Sequence, residues 1–363
     1  MLFWKKKVHL FNRWNKCRKK LEIKKKTTLK DIAATLGLTP SAVSKALNNH
    51  PRISDKTKAA VQEAAIKLQY QPNFLSSALR KGKSNLVGLI VPRINTNFYA
   101  SVIENIEAVL NENGYSVIMA QSNDTYKKEC ESIDNLLNIQ VDGIIASIAN
   151  ETVDFDFYKK IKDKGVPLIL FDRGENDLEV DYIGIDDYNC SHLIVEHLVA
   201  QKCQRIAHIT GFSHTRIFKN RIRGFKDALE KFGLPIQNDL IIESNLQIED
   251  GRRIMKSLLD SKNRPDGVYA ASDNAALGAL QVLLEEGIRV PDEIALVGFG
   301  NEPFGTIIKP EISTINQFSA EIGKQAALAF LDRIKHPKKV VSLNKIILEA
   351  QLLIRNSSNR QRI

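Results

Sequence analysis

Three side chains on a short predicted helix, Ser41, Ala42 and Lys45, have the types and spacing expected of residues that contact DNA. The apolar positions of the same helix, Val43 and Leu47, face the other way and predict a packed side. The helix follows another short helix after a tight turn. Two helices joined in this way form a helix-turn-helix, whose second helix enters the major groove of DNA. Any αα-hairpin of a helical bundle could show the same pattern, so the interpretation depends on the surrounding sequence.

The sequence also marks where these helices begin and end. Thr28, with Asp31 three residues later, predicts a capping-box-like start for the first helix. Gly37 ends that helix and Thr39 caps the next. Pro40 occupies the first position of the second helix, where a missing N–H costs nothing. These signals predict a second helix over residues 40–47.

The charge distribution favours a DNA-binding module over a generic helical hairpin. Of 52 Lys and Arg and 42 Asp and Glu in the chain, 20 and 4 fall within residues 1–83, which leaves 32 and 38 for the remainder. The net charge of +10 therefore combines a basic head with a slightly acidic body. Neutralisation of phosphates is the physical reason to build a DNA-binding protein in this way.

Residues 28–83 resemble the DNA-binding headpiece of the lactose-repressor/galactose-repressor family of bacterial transcription regulators. The matching stretches are LKDIAATLGLTPSAVSKALN, RISDKTKAAVQEAAIKLQYQPN and LRKGKS. The resemblance continues to about residue 356 through VGLIVP, VDGIIAS, SDNAALGAL, VPDEIALVGFGN and ISTINQ. It implies an α/β protein with an N-terminal helix-turn-helix headpiece and a two-lobed, flavodoxin-like effector core of the type I periplasmic-binding-protein kind.

The resemblance divides the chain into five segments. They are a basic, disordered extension (1–26), the helix-turn-helix domain (27–73), a hinge helix and linker (74–85), an effector-binding and dimerisation core (86–356) and a polar tail (357–363). Lobe one of the core is expected at about 86–171 and 316–344, and lobe two at about 172–315 and 345–356. For the extension, a basic arm that contacts DNA or membrane is the alternative.

Ten residues match positions that contact DNA in the family. They are Thr28, Thr39, Pro40, Ser41, Ala42, Ser44, Lys45, Asn48, Leu79 and Arg80. Lys45 can donate to guanine O6 and N7, and Pro40 and Ala42 offer apolar contact, for instance to a thymine methyl. The polar residues Thr28, Thr39, Ser44 and Asn48 are caps or phosphate contacts. Leu79 matches an apolar wedge that enters the minor groove from a hinge helix, which folds only when paired with its dimer mate on the operator.

Eight short apolar runs separated by helical stretches follow the headpiece. They span residues 86–92, 115–121, 142–148, 167–171, 182–185, 205–211, 266–272 and 294–300. Such runs predict parallel sheets covered on both faces, and ligands bind at the carboxyl ends of their strands. The resemblance implies crossovers between the lobes near 171–173, 314–317 and 345–348, with the ligand between the lobes.

Seven residues match the effector-binding positions of the family. They are Phe98, Tyr99, Arg173, Arg221, Ser272, Asp273 and Gln317. The aromatic pair would stack on a sugar ring or base, with a core-only role as the alternative. Arg221 would bond ligand hydroxyls or carboxylates through its planar guanidinium. For Arg173, pairing with the adjacent Asp172 is the alternative. The effector is expected to be a sugar or sugar derivative.

Gly300 is the main departure from the family pattern. The family usually has an aspartate there, which accepts hydrogen bonds from sugar hydroxyls. Its replacement predicts a bulkier or anionic ligand, because Arg173 and Arg221 would face fewer acidic groups in the cleft.

Other functional classes find little support in the sequence. An enzyme would need a phosphate-cradling glycine loop or a catalytic motif, and no HExxH, GxSxG or P-loop is present. Cys190, His192 and His197 lack a further ligand at metal-binding spacing, so neither metal nor cofactor is expected. A secreted solute-binding protein would carry an export signal and no helix-turn-helix. The expected protein is a cytoplasmic homodimeric repressor that binds a palindromic operator and a small effector, and does not bind membranes.

Overall fold

Three helices pack against one another in the N-terminal unit. The computed structural model describes residues 27–70, 83–336 and 343–360, and the chain divides into an N-terminal unit ending at residue 82 and a C-terminal unit starting at residue 83. The N-terminal helices are α1 (Leu29–Leu36), α2 (Pro40–Leu47) and α3 (Asp55–Lys67). Their shared core consists of Ile32, Ala33, Val43, Ala46, Val61 and Ala64.

The predicted helix boundaries of the helix-turn-helix are confirmed. The Asp31 carboxylate accepts the Thr28 backbone N–H at 2.7 Å, and Gly37 ends α1 with a left-handed φ of 64°. The predicted burial of Leu47 is wrong in part, because this side chain is half-buried and Ala46 is buried instead. In α2, Ala46 rather than Leu47 therefore faces the other two helices.

The C-terminal unit consists of twelve strands and eight helices, with short 3₁₀ turns between them. The strands are β1 (Leu86–Val91), β2 (Ser116–Gln121), β3 (Gly143–Ala146), β4 (Leu168–Phe171), β5 (Asp181–Ile185), β6 (Ile206–Thr210), β7 (Ile241–Glu243), β8 (Gly267–Ala270), β9 (Ala295–Val297), β10 (Thr314–Asn316), β11 (Lys345–Leu348) and β12 (Gln351–Leu353). The helices are α4 (Asn97–Glu112), α5 (Tyr126–Ile139), α6 (Asp156–Asp163), α7 (Asp187–Ala200), α8 (Arg216–Lys231), α9 (Ile248–Asp260), α10 (Asp273–Glu285) and α11 (Ser319–Lys335). These counts refer to the described residues alone. Each of the eight predicted strands is present.

The strands form two parallel sheets and one antiparallel pair. Sheet one has the order β11-β5-β4-β3-β1-β2, sheet two has the order β7-β6-β8-β9, and β10 pairs with β12. Both sheets are parallel throughout and lie between helices, as continuous apolar strands require. In each sheet the strand order reverses beside the first strand, β1 or β6. Ligands bind beyond the carboxyl ends of strands at such a switch point.

The predicted limits of the lobes need correction at two strands. The predicted lobe two includes residues 172–185 and 345–348, which contain β5 and β11. In the structure β5 pairs with β4 and β11 pairs with β5, so both strands belong to sheet one. The chain therefore passes to lobe two after Ile185, where β5 leads into α7, and again after Leu348, before β12. A short apolar run fits the edge of either sheet equally well, and only its hydrogen-bonding partner decides which lobe it joins.

Helices α9 and α10 of lobe two approach closely because each carries a glycine at the contact. A Cβ added to Gly278 would lie 1.9 Å from the Ile248 carbonyl oxygen, and one added to Gly251 would lie 2.0 Å from the Ala275 carbonyl oxygen. Both obstructing atoms are backbone, so a side chain could be accommodated only if the helices moved apart.

The Gly278→Ala variant should therefore be destabilised by about 1–3 kcal/mol, although alanine favours helix. Ser257→Ala is the matched control, because Ser257 lies on the exposed side of α9 and its replacement should change stability by less than about 0.5 kcal/mol. Urea unfolding of the three proteins measures the difference. Equal stabilities would show that the helices tolerate the extra methyl group.

Candidate functional site

Helix α2 presents three of the predicted DNA-contacting residues to solvent, two in its first turn and Lys45 in its last turn. Pro40, Ser41 and Lys45 are exposed, whereas Ala42 is half-buried. The Thr39 hydroxyl accepts a hydrogen bond from the Ala42 N–H at 3.2 Å and so caps the helix. An exposed, well-defined first turn is the geometry that a recognition helix needs to reach base edges in the major groove.

Other predicted DNA-contacting residues take part in local contacts or lie outside the described residues. The Asn48 side-chain amide donates to the Ser44 carbonyl oxygen at 2.7 Å at the end of α2, and Thr28 takes part in the start of α1. These contacts agree with their reading as caps, and a phosphate contact stays a prediction. Leu79 and Arg80 lie outside the described residues, so the minor-groove wedge also stays a prediction.

All seven predicted effector residues line one cleft between the lobes of the C-terminal unit. The cleft is open to solvent and has a cavity volume of about 120 Å³. It lies beyond the carboxyl ends of β1, β3, β4, β8 and β9, as the strand order of both sheets predicts. Residues distant in sequence thus come together as the resemblance implied.

Arg221 is buried and ion-paired at the back of this cleft. Its Nε and Nη2 both lie 2.8 Å from the same carboxylate oxygen of Asp187, and its Nη1 donates to the Ala271 carbonyl oxygen at 3.1 Å. The guanidinium carbon lies 3.6 Å from the centroid of the Phe299 ring. Burial raises the pKa of Asp187 to about 6, against the lowering effect of the Arg221 guanidinium. The arginine therefore organises the cleft in addition to lining it.

Arg173 is paired with an acid other than its neighbour in sequence. Its Nη1 contacts Asp124, whose second carboxylate oxygen accepts Arg93 Nε at 2.8 Å. The two guanidinium groups hold the pKa of Asp124 below its usual range, although burial acts in the opposite direction and is the largest single effect. The Arg173 Nε is buried, and among the described residues it has no hydrogen-bond partner. The Oδ1 of nearby Asn150 is likewise a buried acceptor without a partner there.

The aromatic pair contributes to the core as well as to the cleft. Phe98 and Tyr99 are only 7% and 5% exposed, and their rings meet edge to face with centroids 5.1 Å apart. The Tyr99 hydroxyl donates to Asp172 at 2.7 Å and lies 3.2 Å from the Ser147 hydroxyl. Asp172 is therefore a cleft acid held by an adjacent tyrosine.

Ser272 and Asp273 maintain the shape of the cleft. The Ser272 hydroxyl donates to the Leu246 carbonyl oxygen at 3.1 Å. The two carboxylate oxygens of Asp273 accept the Thr314 hydroxyl and the Glu302 N–H, each at 2.7 Å. Burial raises the pKa of Asp273 to about 6. Both oxygens are thus engaged within the protein, which makes Asp273 a positioning residue.

Gly300 adopts a backbone conformation that side chains rarely accept. Its φ is +126°, and an added Cβ would lie 3.9 Å from Gln317 Nε2. The side chain of Gln317 is buried at this edge of the cleft. Space for a side chain exists at Gly300, but any residue with a Cβ would be strained there.

Two hydrogen bonds join the lobes across the cleft. The Glu302 carboxylate, from the loop after β9, accepts the Asn97 N–H at the start of α4 at 3.1 Å. His214, between β6 and α8, donates from Nε2 to the Asn150 carbonyl oxygen. Burial raises the pKa of Glu302, while hydrogen bonds from the backbone N–H groups of Asn97 and Phe98 lower it. The lobes are therefore held together at two separate points.

Arg173 and Arg221 face acids in and behind the cleft even though position 300 is a glycine. The charged side chains lining the cleft are Arg93, Arg173, Arg221, Asp124, Asp172, Asp273 and Glu302. Asp124 pairs with two of these arginines, and Asp187 behind the cleft pairs with the third. The cleft therefore offers balanced charge and not an excess of positive charge.

Several cleft residues escaped the sequence analysis. Asp124 and Asn150 follow the carboxyl ends of β2 and β3, so their polar character directly after a predicted strand was an available signal. Glu302 follows β9 in the same way. Asp187 begins a helix, and nothing local in the sequence indicated that it pairs with Arg221, 34 residues away.

The described residues contain neither a cluster of metal ligands nor a membrane-spanning helix. No group of three or more His, Cys, Asp or Glu side chains there could hold a metal ion. No helix in the same ranges is long and apolar enough to cross a membrane.

Replacement of Asp273 should change how stability depends on pH. Its pKa is raised on folding from 3.8 to about 6, so the native form binds a proton more tightly than the unfolded chain. Its contribution is fully present below about pH 4 and is lost as pH rises through about 6, by up to about 3 kcal/mol. In Asp273→Asn, the unfolding free energy should therefore fall less between pH 4.5 and 7 than in the wild type.

Denaturant unfolding at pH 4.5, 5.5 and 7 measures this difference. Asp163→Asn is the control, because Asp163 is exposed at the end of α6. Identical pH profiles for wild type and Asp273→Asn would show that the buried carboxylate has an ordinary proton affinity in the folded state.

Comparison with known proteins matches both units. The model of bacterial regulatory proteins of the lacI family matches residues 28–73, and the model of a periplasmic binding protein-like domain matches residues 195–358. Among solved structures, the transcriptional regulator CelR in complex with cellobiose has a TM-score of 0.69 at 26% identity, covering 92% of this chain and 100% of that one. A LacI family transcriptional regulator from Enterococcus faecium with bound ribose has a TM-score of 0.67 at 28% identity, covering 76% and 100%.

Curated relatives extend the match to nearly the whole chain. The ribose operon repressor of Haemophilus influenzae is 28% identical over 91% of this chain and 98% of its own length. The HTH-type transcriptional regulator DegA of Bacillus subtilis is 31% identical over 92% of this chain and 98% of its own length. Identity at this level across both units shows that the chain belongs to the lacI family of bacterial regulatory proteins, a family of DNA-binding transcription regulators and not of enzymes.

Proposed function

We propose that this protein is a repressor that binds a palindromic operator as a homodimer, and that a neutral, polyhydroxylated sugar in the cleft controls its affinity for DNA. The headpiece supports the DNA-binding part of the proposal. It presents Pro40 and Ser41 on the capped first turn of α2 and Lys45 on the last turn of the same helix, all three exposed. In a dimer, two such helices would face the two halves of a palindrome.

The observation that carries the effector assignment is a buried donor and a buried acceptor that both lack partners among the described residues. Arg173 Nε can only donate and Asn150 Oδ1 can only accept. Both side chains line the cleft. Hydroxyl groups donate and accept, so a sugar can satisfy both atoms, whereas a phosphate or carboxylate group can satisfy only the donor.

The charge balance of the cleft favours the same ligand class. Arg173 and Arg221 already have carboxylate partners, so an anionic ligand would have to compete with Asp124 and Asp187. The Asp172 carboxylate would accept hydrogen bonds from ligand hydroxyls and would repel an anion. Two relatives are consistent with this class, since one is a ribose operon repressor and one solved structure contains ribose.

The lobe-to-lobe contacts give the ligand a means of controlling DNA binding. A sugar between the lobes would add bonds to both sides of the cleft and stabilise the arrangement in which Glu302 meets Asn97 and His214 meets Asn150. A ligand shifts such an equilibrium by the difference of its affinities for the two arrangements. In the dimer, a change between the lobes would alter the distance between the two hinges that precede the cores.

The role of Lys45 in reading DNA can be tested against a lysine on another helix. After the operator is identified by sequencing DNA that co-purifies with the protein, Lys45→Ala should weaken binding to it by about 1–3 kcal/mol and reduce discrimination against other sequences. Lys67→Ala removes the same charge from the exposed end of α3 and is the control. It should lower affinity for all DNA slightly and leave the preferred sequence unchanged.

Fluorescence anisotropy with operator and random duplexes at several salt concentrations distinguishes the two effects. If both variants lose the same affinity on both duplexes, Lys45 contributes charge alone and the assignment of α2 as the recognition helix loses its support.

Calorimetry over a panel of pentoses, hexoses and their phosphorylated and carboxylated derivatives tests the ligand class. We expect a neutral sugar to bind at least tenfold more tightly than its anionic derivatives. Asn150→Ala should weaken that sugar about tenfold, because it removes a buried acceptor. Asn111→Ala, on the exposed side of α4, should leave binding unchanged. Preference for an anionic derivative, or unaltered binding by Asn150→Ala, would contradict the proposal.

A further inference from the structure

A second concave site lies outside the effector cleft, on α8. Arg216, Lys219 and Arg223 of this helix, together with His214, line a recess that is open to solvent and has a cavity volume of about 420 Å³. We call these four side chains and the space between them the basic recess. It shares no lining residue with the effector cleft. A protein body that is slightly acidic overall thus concentrates three permanent positive charges in one hollow.

The cations of the basic recess keep their charge available. Within the described ranges, Arg216, Lys219 and Arg223 form no ion pair with a carboxylate, in contrast to Arg173 and Arg221 of the cleft. Glu175 is the one acid that lines the recess, and its Oε1 accepts the backbone N–H of its own neighbour at 2.6 Å.

Aromatic rings, and not acids, hold the two arginines in place. The guanidinium carbon of Arg216 lies 4.5 Å from the centroid of the Tyr182 ring, and that of Arg223 lies 4.8 Å from the Tyr188 ring. A cation–π contact restricts the side chain and leaves its positive charge and N–H donors for another partner. Two restrained arginines beside a lysine are a donor set that phosphate oxygens favour.

We propose that the basic recess binds the phosphoryl group of a small phosphorylated metabolite, as a regulatory input separate from the sugar in the cleft. Its concave shape and volume suit a small molecule better than a flat protein partner. The recess also spans both lobes, since Glu175 lies between β4 and β5 of lobe one and the basic residues belong to lobe two. A ligand held there would contact both lobes and bias their arrangement.

Titration calorimetry of the full chain with pyrophosphate, at constant ionic strength and without DNA, tests the site. Residues 1–26 and the headpiece are also basic and will bind polyanions, so the measured quantity is the difference between two matched double variants. Lys219→Gln with Arg223→Gln removes two charges from the recess. The control double variant, Lys226→Gln with Lys231→Gln, removes two charges from the same helix at positions that do not line the recess.

The recess variant should bind pyrophosphate at least tenfold more weakly than wild type, while the control variant binds it as wild type does. Circular dichroism establishes that each variant is folded. Equal losses in the two variants, absence of a saturable site in the wild type, or equally tight binding of sulfate would each overturn the assignment. Operator and sugar binding are measured on the same variants and should stay unchanged, so this proposal and the proposed function fail independently.

Discussion

The ion pair between Arg221 and Asp187 joins the parts of the chain that form the effector cleft. Asp187 begins α7, directly after the chain first passes into lobe two, and Arg221 lies on α8. The same guanidinium bonds the carbonyl of Ala271 after β8 and lies against Phe299 after β9. The buried Arg221 guanidinium therefore holds in place the crossover after β5 and the carboxyl ends of β8 and β9. Removal of either partner would leave the other as a buried, uncompensated charge, at a cost of roughly 3–5 kcal/mol.

This arrangement changes how the arginine should be understood. On family resemblance alone, Arg221 is a ligand contact whose loss affects only the response to effector. With 4% exposure and a carboxylate partner, it is first a structural element of the cleft, and under the proposed function it would contact ligand only with the N–H groups that remain. Loss of ligand binding in an Arg221 variant would therefore be interpretable only beside a measurement of its stability. Asn150 is the better probe, since its unpartnered Oδ1 stabilises nothing within the described protein.

The features that could be predicted from the sequence are those decided by residues close together in the chain. Each long apolar run became a strand, and Thr28, Gly37 and Thr39 mark helix ends because caps are decided by neighbouring residues. Four short strands of only three or four residues were missed, β7, β10, β11 and β12, and all but β10 consist of half-buried and exposed residues. Strands of this kind lack a hydrophobic pattern that could be recognised.

Pairings between distant residues could not be read from the sequence in the same way. The family resemblance placed all seven effector residues around one cleft, but it paired Arg173 with nothing beyond its neighbour Asp172. The actual partner, Asp124, is 49 residues away and follows a different strand. The partner depends on the order of the strands along the carboxyl edge of sheet one, where β3 and β1 lie between β4 and β2, and that order is a property of the whole fold.

The loop after β9 shows how pairings between distant residues change the role of a loop within the family fold. The family reading places a ligand-binding acid at Gly300, yet the backbone there has a φ of +126° and would strain any side chain. The acid of this loop is instead Glu302, two residues later, and its carboxylate bonds the first amide of α4 in the other lobe. Asp273 holds the loop in this shape by accepting the Glu302 N–H. An acid in this loop thus contacts the opposite lobe, which couples the loop directly to the position of the lobes. Under the proposed function, recognition of ligand hydroxyls would fall to Asp172, Asn150 and the cleft arginines.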